Sequence, residues 1–173
     1  MKNISLYVPQ LEDYYYQEKI QSDALTMSYN AGYDVSYYGY HYDTGCIDFP
    51  NSRWNEVYEK RIKENRYFAY IKDNDINEYI GYVYYNYNDE ENRYECGILI
   101  EHKYRSKGYS KPSLMLLIEK KKKNGIKELY DNFEIDRGNT LKLFMSVGFK
   151  IVEEKTWKKF DKEVKGVIVK IDL

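Results

Sequence analysis

The chain has 173 residues, with 27 Lys and Arg against 28 Asp and Glu, a formal net charge of −1, and 22 tyrosines against 6 phenylalanines and 2 tryptophans. Interspersed, nearly balanced charge lacks the long-range field a nucleic-acid binder needs, so no nucleic-acid partner is expected. The aromatic, Ile, Leu and Val content argues against global disorder despite the low mean hydropathy.

At this length one domain is the default. The opening Met1–Gln10 has no apolar stretch, and the longest apolar run is Leu114–Ile118. Neither a signal peptide nor a membrane partner is expected, and a cytoplasmic location follows. Cys46 and Cys96 are expected as free thiols, and with His41 and His102 as the only histidines no spacing resembles a metal site.

Ile4–Val8 alternates and stops at Pro9, which predicts an edge strand, and Leu11 to about Asp23 has helical composition. From Met27 to Pro50 no period is sustained, and Gly32, Gly39, Gly45 and Pro50 punctuate a long connection of the kind that carries function. Trp54, Val57, Tyr58, Arg61 and Ile62 then fall on one helical face between Ser52 and Asn65. Tyr67–Lys72, Tyr79–Asn86 and Tyr94–Ile100 read as an antiparallel meander, and Lys111–Asn124 as the central helix, ending before Gly125. Leu129–Ile135 reads as a strand, Asn139–Ser146 as a short helix closed by Gly148, and Phe149–Lys158 and Val164–Ile171 as a hairpin across Phe160–Glu163. The order is that of one α/β or α+β domain. The Lys120–Lys123 run lies in the last turns of the central helix, where cations suit the helix dipole, and reads as a solvated face.

The stretch Glu95-Cys96-Gly97-Ile98-Leu99-Ile100-Glu101-His102-Lys103-Tyr104-Arg105-Ser106-Lys107-Gly108-Tyr109-Ser110 is a strand, a tight polar loop and a helix start. Consecutive N–H groups in such a loop form a concave anion site, and Gly108 lets the backbone approach a ligand. Arg105 and Lys107 add positive charge, which suits a pyrophosphate, although the P-loop spacing is absent. Spacing alone leaves an ordinary surface turn with two solvated cations as the alternative.

Ile98–Ser110 resembles the acetyl-CoA motif [QR]-x-x-G-x-[GA] of the GCN5-related N-acetyltransferases (GNAT), with Arg105 and Gly108 in the first two fixed positions and the small Ser110 in the third. A second family feature is the short helix ending in Gly148-Phe149, and the order of elements resembles the family's along nearly the whole chain. The resemblance implies a single-domain GNAT fold with a mixed central sheet, an antiparallel meander, a phosphate loop and central helix, and splayed fourth and fifth strands. It implies acetyl-CoA as cosubstrate, no metal, and direct transfer of acetyl to a primary amine, more a small molecule than a peptide. A monomer and a homodimer are both compatible.

By the same resemblance, the backbone of Arg105, Ser106, Lys107, Gly108, Tyr109 and Ser110 would hold the pyrophosphate, the main chain of Leu99 and Ile100 would pair with the pantetheine arm, and Asn139 is a shifted candidate for a CoA contact. Glu95, at the start of the fourth strand, stands where many relatives carry a glutamate that serves as base directly or through water; a strand-end glutamate in solvent or paired with Lys or Arg is the alternative. Cys96 points to the opposite face from Glu95, against a cysteine-acyl route. Phe144 stands where many relatives place an acidic tyrosine, which leaves a CoA-binding module with little transferase activity as a second reading. The loop with Tyr38, Tyr40 and Asp43 falls where the family builds its acceptor pocket, and aromatic walls with a carboxylate suit a cationic amine. Tyrosine density from composition alone is the competing explanation.

Overall fold

The chain enters through β1 (Ile4–Tyr7), and in the computed structural model, which describes residues 1–173, this short strand lies at the sheet edge. It pairs antiparallel with β2 (Tyr67–Asp73), which continues through β3 (Glu78–Asn88) and β4 (Arg93–Ile100) as a meander. β5 (Glu128–Glu134) runs parallel to β4, and the hairpin β6 (Lys150–Lys159) and β7 (Lys162–Asp172) closes an open seven-stranded sheet in the order β1-β2-β3-β4-β5-β7-β6.

Period-two alternation divides the meander between two cores. Ala69, Ile71, Val83, Tyr85, Cys96 and Ile100 face one core, which is closed by Leu114, Leu117 and Phe144. Phe68, Tyr70, Tyr82 and Leu99 face the other, packed against Tyr16, Ile20 and Met27. The first core is covered by α4 (Ser110–Lys123) and α5 (Gly138–Ser146), the second by α1 (Tyr15–Gln21) and α2 (Ala24–Met27), while α3 (Asn51–Lys63) lies farther out. A register shift opposite Ile71 and Lys72 leaves Ile80 as the extra residue of β3.

Three sequence expectations are corrected. The first helix opens as a 3-10 turn over Leu11–Tyr14, where Asp13 accepts a hydrogen bond from the Gln10 N–H at 2.9 Å, before α1 begins. The closing turn has two residues, not four: Phe160 and Asp161 both take positive φ, the twist a tight hairpin demands, and Lys162 and Glu163 join β7.

The third correction is Lys121, which is fully buried although its neighbours Lys120, Lys122 and Lys123 are solvated. Helical spacing puts it on the row of Leu114, Leu117 and Ile118, and its Nζ has no hydrogen-bond partner. The amine sits 3.5 Å from the ring centre of Tyr94 and 4.6 Å from that of Tyr85. Burial lowers its pKa to about 7, so the native state binds fewer protons than the unfolded chain between about pH 7 and 10. The cost is full below that window and fades as pH rises through it. Lys121→Met is expected to raise Tm at pH 6 by about 2–4 °C for each kcal/mol recovered, and by less at pH 9. Thermal melts at the two pH values check this; a lower Tm, or equal gains at both, contradicts it.

Candidate functional site

β4 and β5 meet at a single pair, Glu95 with Tyr130. Beyond it β4 stays bonded to β3 and β5 to β7, so their facing edges diverge. The N–H of Glu101 bonds Ile80 O at 2.9 Å, which sets the alternation of the β3–β4 ladder. Gly97 and Leu99 thereby spend their main-chain groups on β3, and the N–H groups of Ile98 and Ile100 face the gap. Sequence reasoning named Leu99 and Ile100; the alternation exchanges Leu99 for Ile98.

The gap passes through the sheet as a cavity of about 110 Å³, lined by Tyr29, Tyr82 and Tyr84, by Thr140 and Phe144 of α5, by Arg137 just before that helix, and by Gly97, Leu99 and Asp131. Phe144 is 1% exposed and packs on Phe133 and Phe149 at ring distances of 5.2 and 4.9 Å.

At the open end of β4 lies the loop to α4. Ser106 at φ +61 and Gly108 at φ +84 curl it, and no atom lies within 4 Å of where a Gly108 side chain would start. The N–H groups from Ser106 through Lys111, omitting none, have no main-chain acceptor, and they gather at the positive end of the α4 dipole. Ser110 is the first helical residue and supplies no cap. Arg105 does not aim its charge outward: Nε donates to Ile100 O at 3.0 Å and Nη2 to Thr26 O at 2.7 Å, tying the loop to α2. Burial, with the nearby Arg137 cation, lowers its pKa. Tyr109 is buried and donates to Asp73 at 2.6 Å, Lys107 extends over the Tyr104 ring, and Asn139 is exposed in the first turn of α5.

Two carboxylates lie near the gap, and only one lines it. Glu95 holds Arg93 at 2.8 Å through Oε1 and accepts from Asn88 at 3.1 Å through Oε2, and it lines neither the gap nor the cavity beside it. Asp131 lines the gap itself and accepts the Asn132 N–H at 2.7 Å. Burial pushes the Asp131 carboxyl up to about 8, against the opposing pull of that N–H and of Arg137. Burial also raises the Cys96 thiol well above its ordinary value, which leaves it inert as a nucleophile.

Beside the gap, a cavity of about 270 Å³ is lined by Tyr29, Tyr33, Asn132, Glu134, Arg137 and Trp157 among others. Burial raises the Glu134 pKa, but hydrogen bonds from Tyr33 and Lys159 outweigh it and hold the carboxyl below its usual range. Arg137 lies 4.9 Å from the Tyr29 ring centre. Tyr38, Tyr40 and Asp43 do not line either cavity. The bridge between Tyr40 and Ile47 folds their loop on itself; the Tyr40 hydroxyl donates to Asn30 O at 2.6 Å, Arg53 stacks on Tyr38 at 4.1 Å, and Asp43 is exposed.

Sequence reasoning missed Tyr29, Tyr84 and Asp131 as site residues. A charged residue inside the short strand ELYDNFE, and a glycine inside β4, were the available signals. No group of three His, Cys, Asp or Glu side chains converges as a metal site, and no helix is long and apolar enough to cross a membrane.

Residues 28–149 match the model of the acetyltransferase (GNAT) family. The fold is similar to that of an N-acetyltransferase from Staphylococcus aureus Mu50, at 18% identity and a TM-score of 0.77, covering 98% of each chain. It is similar to spermidine N-acetyltransferase from Vibrio cholerae in complex with CoA and spermine, at 16% identity and a TM-score of 0.76, covering 98% of this chain and 95% of that one. A GNAT phosphinothricin acetyltransferase from Sinorhizobium meliloti in complex with AcCoA aligns at 14% identity and a TM-score of 0.76, over 98% and 88% of the two chains. No curated protein matches the sequence.

The Arg105 contacts predict that Arg105→Met loses about 2 kcal/mol of stability in urea denaturation, since charged donors to buried carbonyls disappear. A loss under about 0.5 kcal/mol would contradict the tethering role.

Proposed function

This chain belongs to the acetyltransferase (GNAT) family, and on that premise we propose that it transfers acetyl from acetyl-CoA to a primary amine, probed best with small molecules. The observation that carries the reading is the unpaired edge of β4 running into a loop of unpaired N–H groups. The two fit the cosubstrate in sequence. N–H groups from Ser106 through Lys111 would hold the pyrophosphate, and the edge at Ile98 and Ile100 would pair with the amide-bearing arm as a further strand would. When bound, acetyl-CoA supplies an activated thioester.

This chain's residues do the rest. The splayed strands orient the thioester toward the tyrosine-lined side, where an amine can enter through the cavity bounded by Tyr29, Tyr33 and Trp157. A main-chain N–H of β4 would meet charge developing on the carbonyl oxygen. An alkylammonium must lose a proton first, because its pKa is about 10.4. Asp131 is the proposed acceptor of that proton, since it lines the gap and titrates near the working pH. Glu95, expected from the resemblance, is the second reading; both its oxygens are engaged by Arg93 and Asn88.

Isothermal titration is expected to show CoA binding that Gly108→Val weakens at least about tenfold, since a branched side chain resists positive φ. Unweakened binding would move the anion site elsewhere. Thiol release across polyamines, aminoglycosides, amino acids and peptides is expected to identify an acceptor. Binding without release from any of them would favour the CoA-binding module that Phe144 suggests. With that acceptor, kcat/KM is expected to rise with pH through about 8, as Asp131 loses its proton. Asp131→Asn is expected to abolish this limb and cost about 100-fold, with Glu95→Gln costing under about tenfold. The reverse order would assign the proton to Glu95.

A further inference from the structure

In the register of the sheet Tyr84 of β3 stands directly opposite Gly97 of β4. Cross-strand neighbours on one face have side chains about 5 Å apart, so a tyrosine opposite an ordinary residue would stand beside it. Opposite Gly97 it lies down. A side-chain carbon added at Gly97 would come 2.5 Å from the Tyr84 hydroxyl oxygen, and ring atoms crowd it as closely. The ring therefore crosses β4 on the glycine, and its hydroxyl reaches the rim of the gap, where Tyr84, Gly97 and Asp131 share one cavity.

Many tyrosines of this chain spend their hydroxyls on structure. Tyr7 donates to Asp13, Tyr16 to Glu101, Tyr33 to Glu134, Tyr40 to Asn30, Tyr104 to Glu78 and Tyr109 to Asp73. Tyr84 has no such partner. Burial and the neighbouring Asp131 raise its pKa well above that of free phenol, so it keeps its proton at any working pH. On the α5 side of the same cavity stands Phe144, which has no proton to give.

We propose that the Tyr84 hydroxyl is the proton donor to the departing thiolate, a reading that rests on the acetyl transfer argued above. The amine lone pair forms the C–N bond to the carbonyl carbon as the C–S bond breaks, its electron pair passing to sulfur. Tyr84 gives its phenolic proton to that sulfur. The phenolate is made neutral again by the proton shed from the new amide nitrogen, relayed by Asp131 in the same cavity once Asp131 has passed the proton of the incoming ammonium to solvent. For a neutral amine the sum is one amide and one thiol, with no proton gained or lost. Gly97 is a positioning residue, because any side chain there lifts the ring.

The test compares Tyr84→Phe with the wild type, using the fastest acceptor of the thiol-release screen. With acetyl-CoA, kcat is expected to fall about 100-fold while CoA affinity by titration stays within about twofold. With the acetyl thioester of an acidic aromatic thiol, whose thiolate leaves unassisted, the same variant is expected to lose under about threefold. Gly97→Ala should reproduce the acetyl-CoA loss, and Tyr29→Phe, in the same cavity, should alter acceptor KM more than kcat. A Tyr84→Phe kcat within about threefold of wild type, or equal losses with both donors, overturns the assignment. A wild type that binds CoA and releases no thiol fails differently: it overturns the transferase reading itself.

Discussion

One point of strand pairing, with Glu95 of β4 beside Tyr130 of β5, governs the site. Parallel neighbours normally hold each other over their whole length, and here each strand has a stronger commitment elsewhere. β3 pairs with β4 across eight residues and β7 with β5 across seven, so the twists of two antiparallel units diverge from a single hinge point. The result is a sheet with a slot through it, bordered by main-chain groups that want partners. In a buried environment such groups cost free energy until something pairs with them, and an extended ligand bearing amides does so without specific side chains.

Charge around the slot is arranged to leave little of it free. Arg105 serves the carbonyls of Ile100 and Thr26, Arg93 serves Glu95, and Lys159 serves Glu134. The row of loop N–H groups, the Asp131 carboxyl and the Tyr84 hydroxyl are among the groups near the gap that no side-chain hydrogen bond engages, together with the Tyr29 hydroxyl and the Arg137 guanidinium. The first three are the proposed anion cradle, proton acceptor and proton donor. On the α5 side Phe144 packs against Phe133 and Phe149 and brings no hydroxyl to the cavity it lines.

Most of the architecture was legible in the sequence, because period-two alternation and helical rows are local properties. The meander, the central helix, the Gly-bearing loop and the late strand–helix–hairpin order fall within a few residues of their predicted bounds. Three things were not legible, each for a physical reason. Lys121 shares a helical row with Leu114, Leu117 and Ile118, but the charged run around it read as solvated, and tertiary packing decides that its ammonium follows the row inward. Tyr38, Tyr40 and Asp43 were plausible by position, but long irregular loops are placed by tertiary contacts, and this one turns them away from the cavities through its own bridge. The juxtaposition of Tyr84 with Gly97 depends on register across a hairpin, which alternation leaves free by whole steps of two. Tyrosine abundance, which reads as composition, resolves into many structural hydroxyls and a few that face the gap.

The central claim is that the unpaired edge of β4 and the loop after it form one binding surface for the CoA cosubstrate. Hydrogen exchange of backbone amides with and without CoA tests it most directly. CoA is expected to protect the amides of Ile98, Ile100 and the run from Ser106 through Lys111, while Gly97 and Leu99, already bonded to β3, change little. Protection confined to other surfaces, or an unchanged β4 edge under saturating CoA, would contradict it.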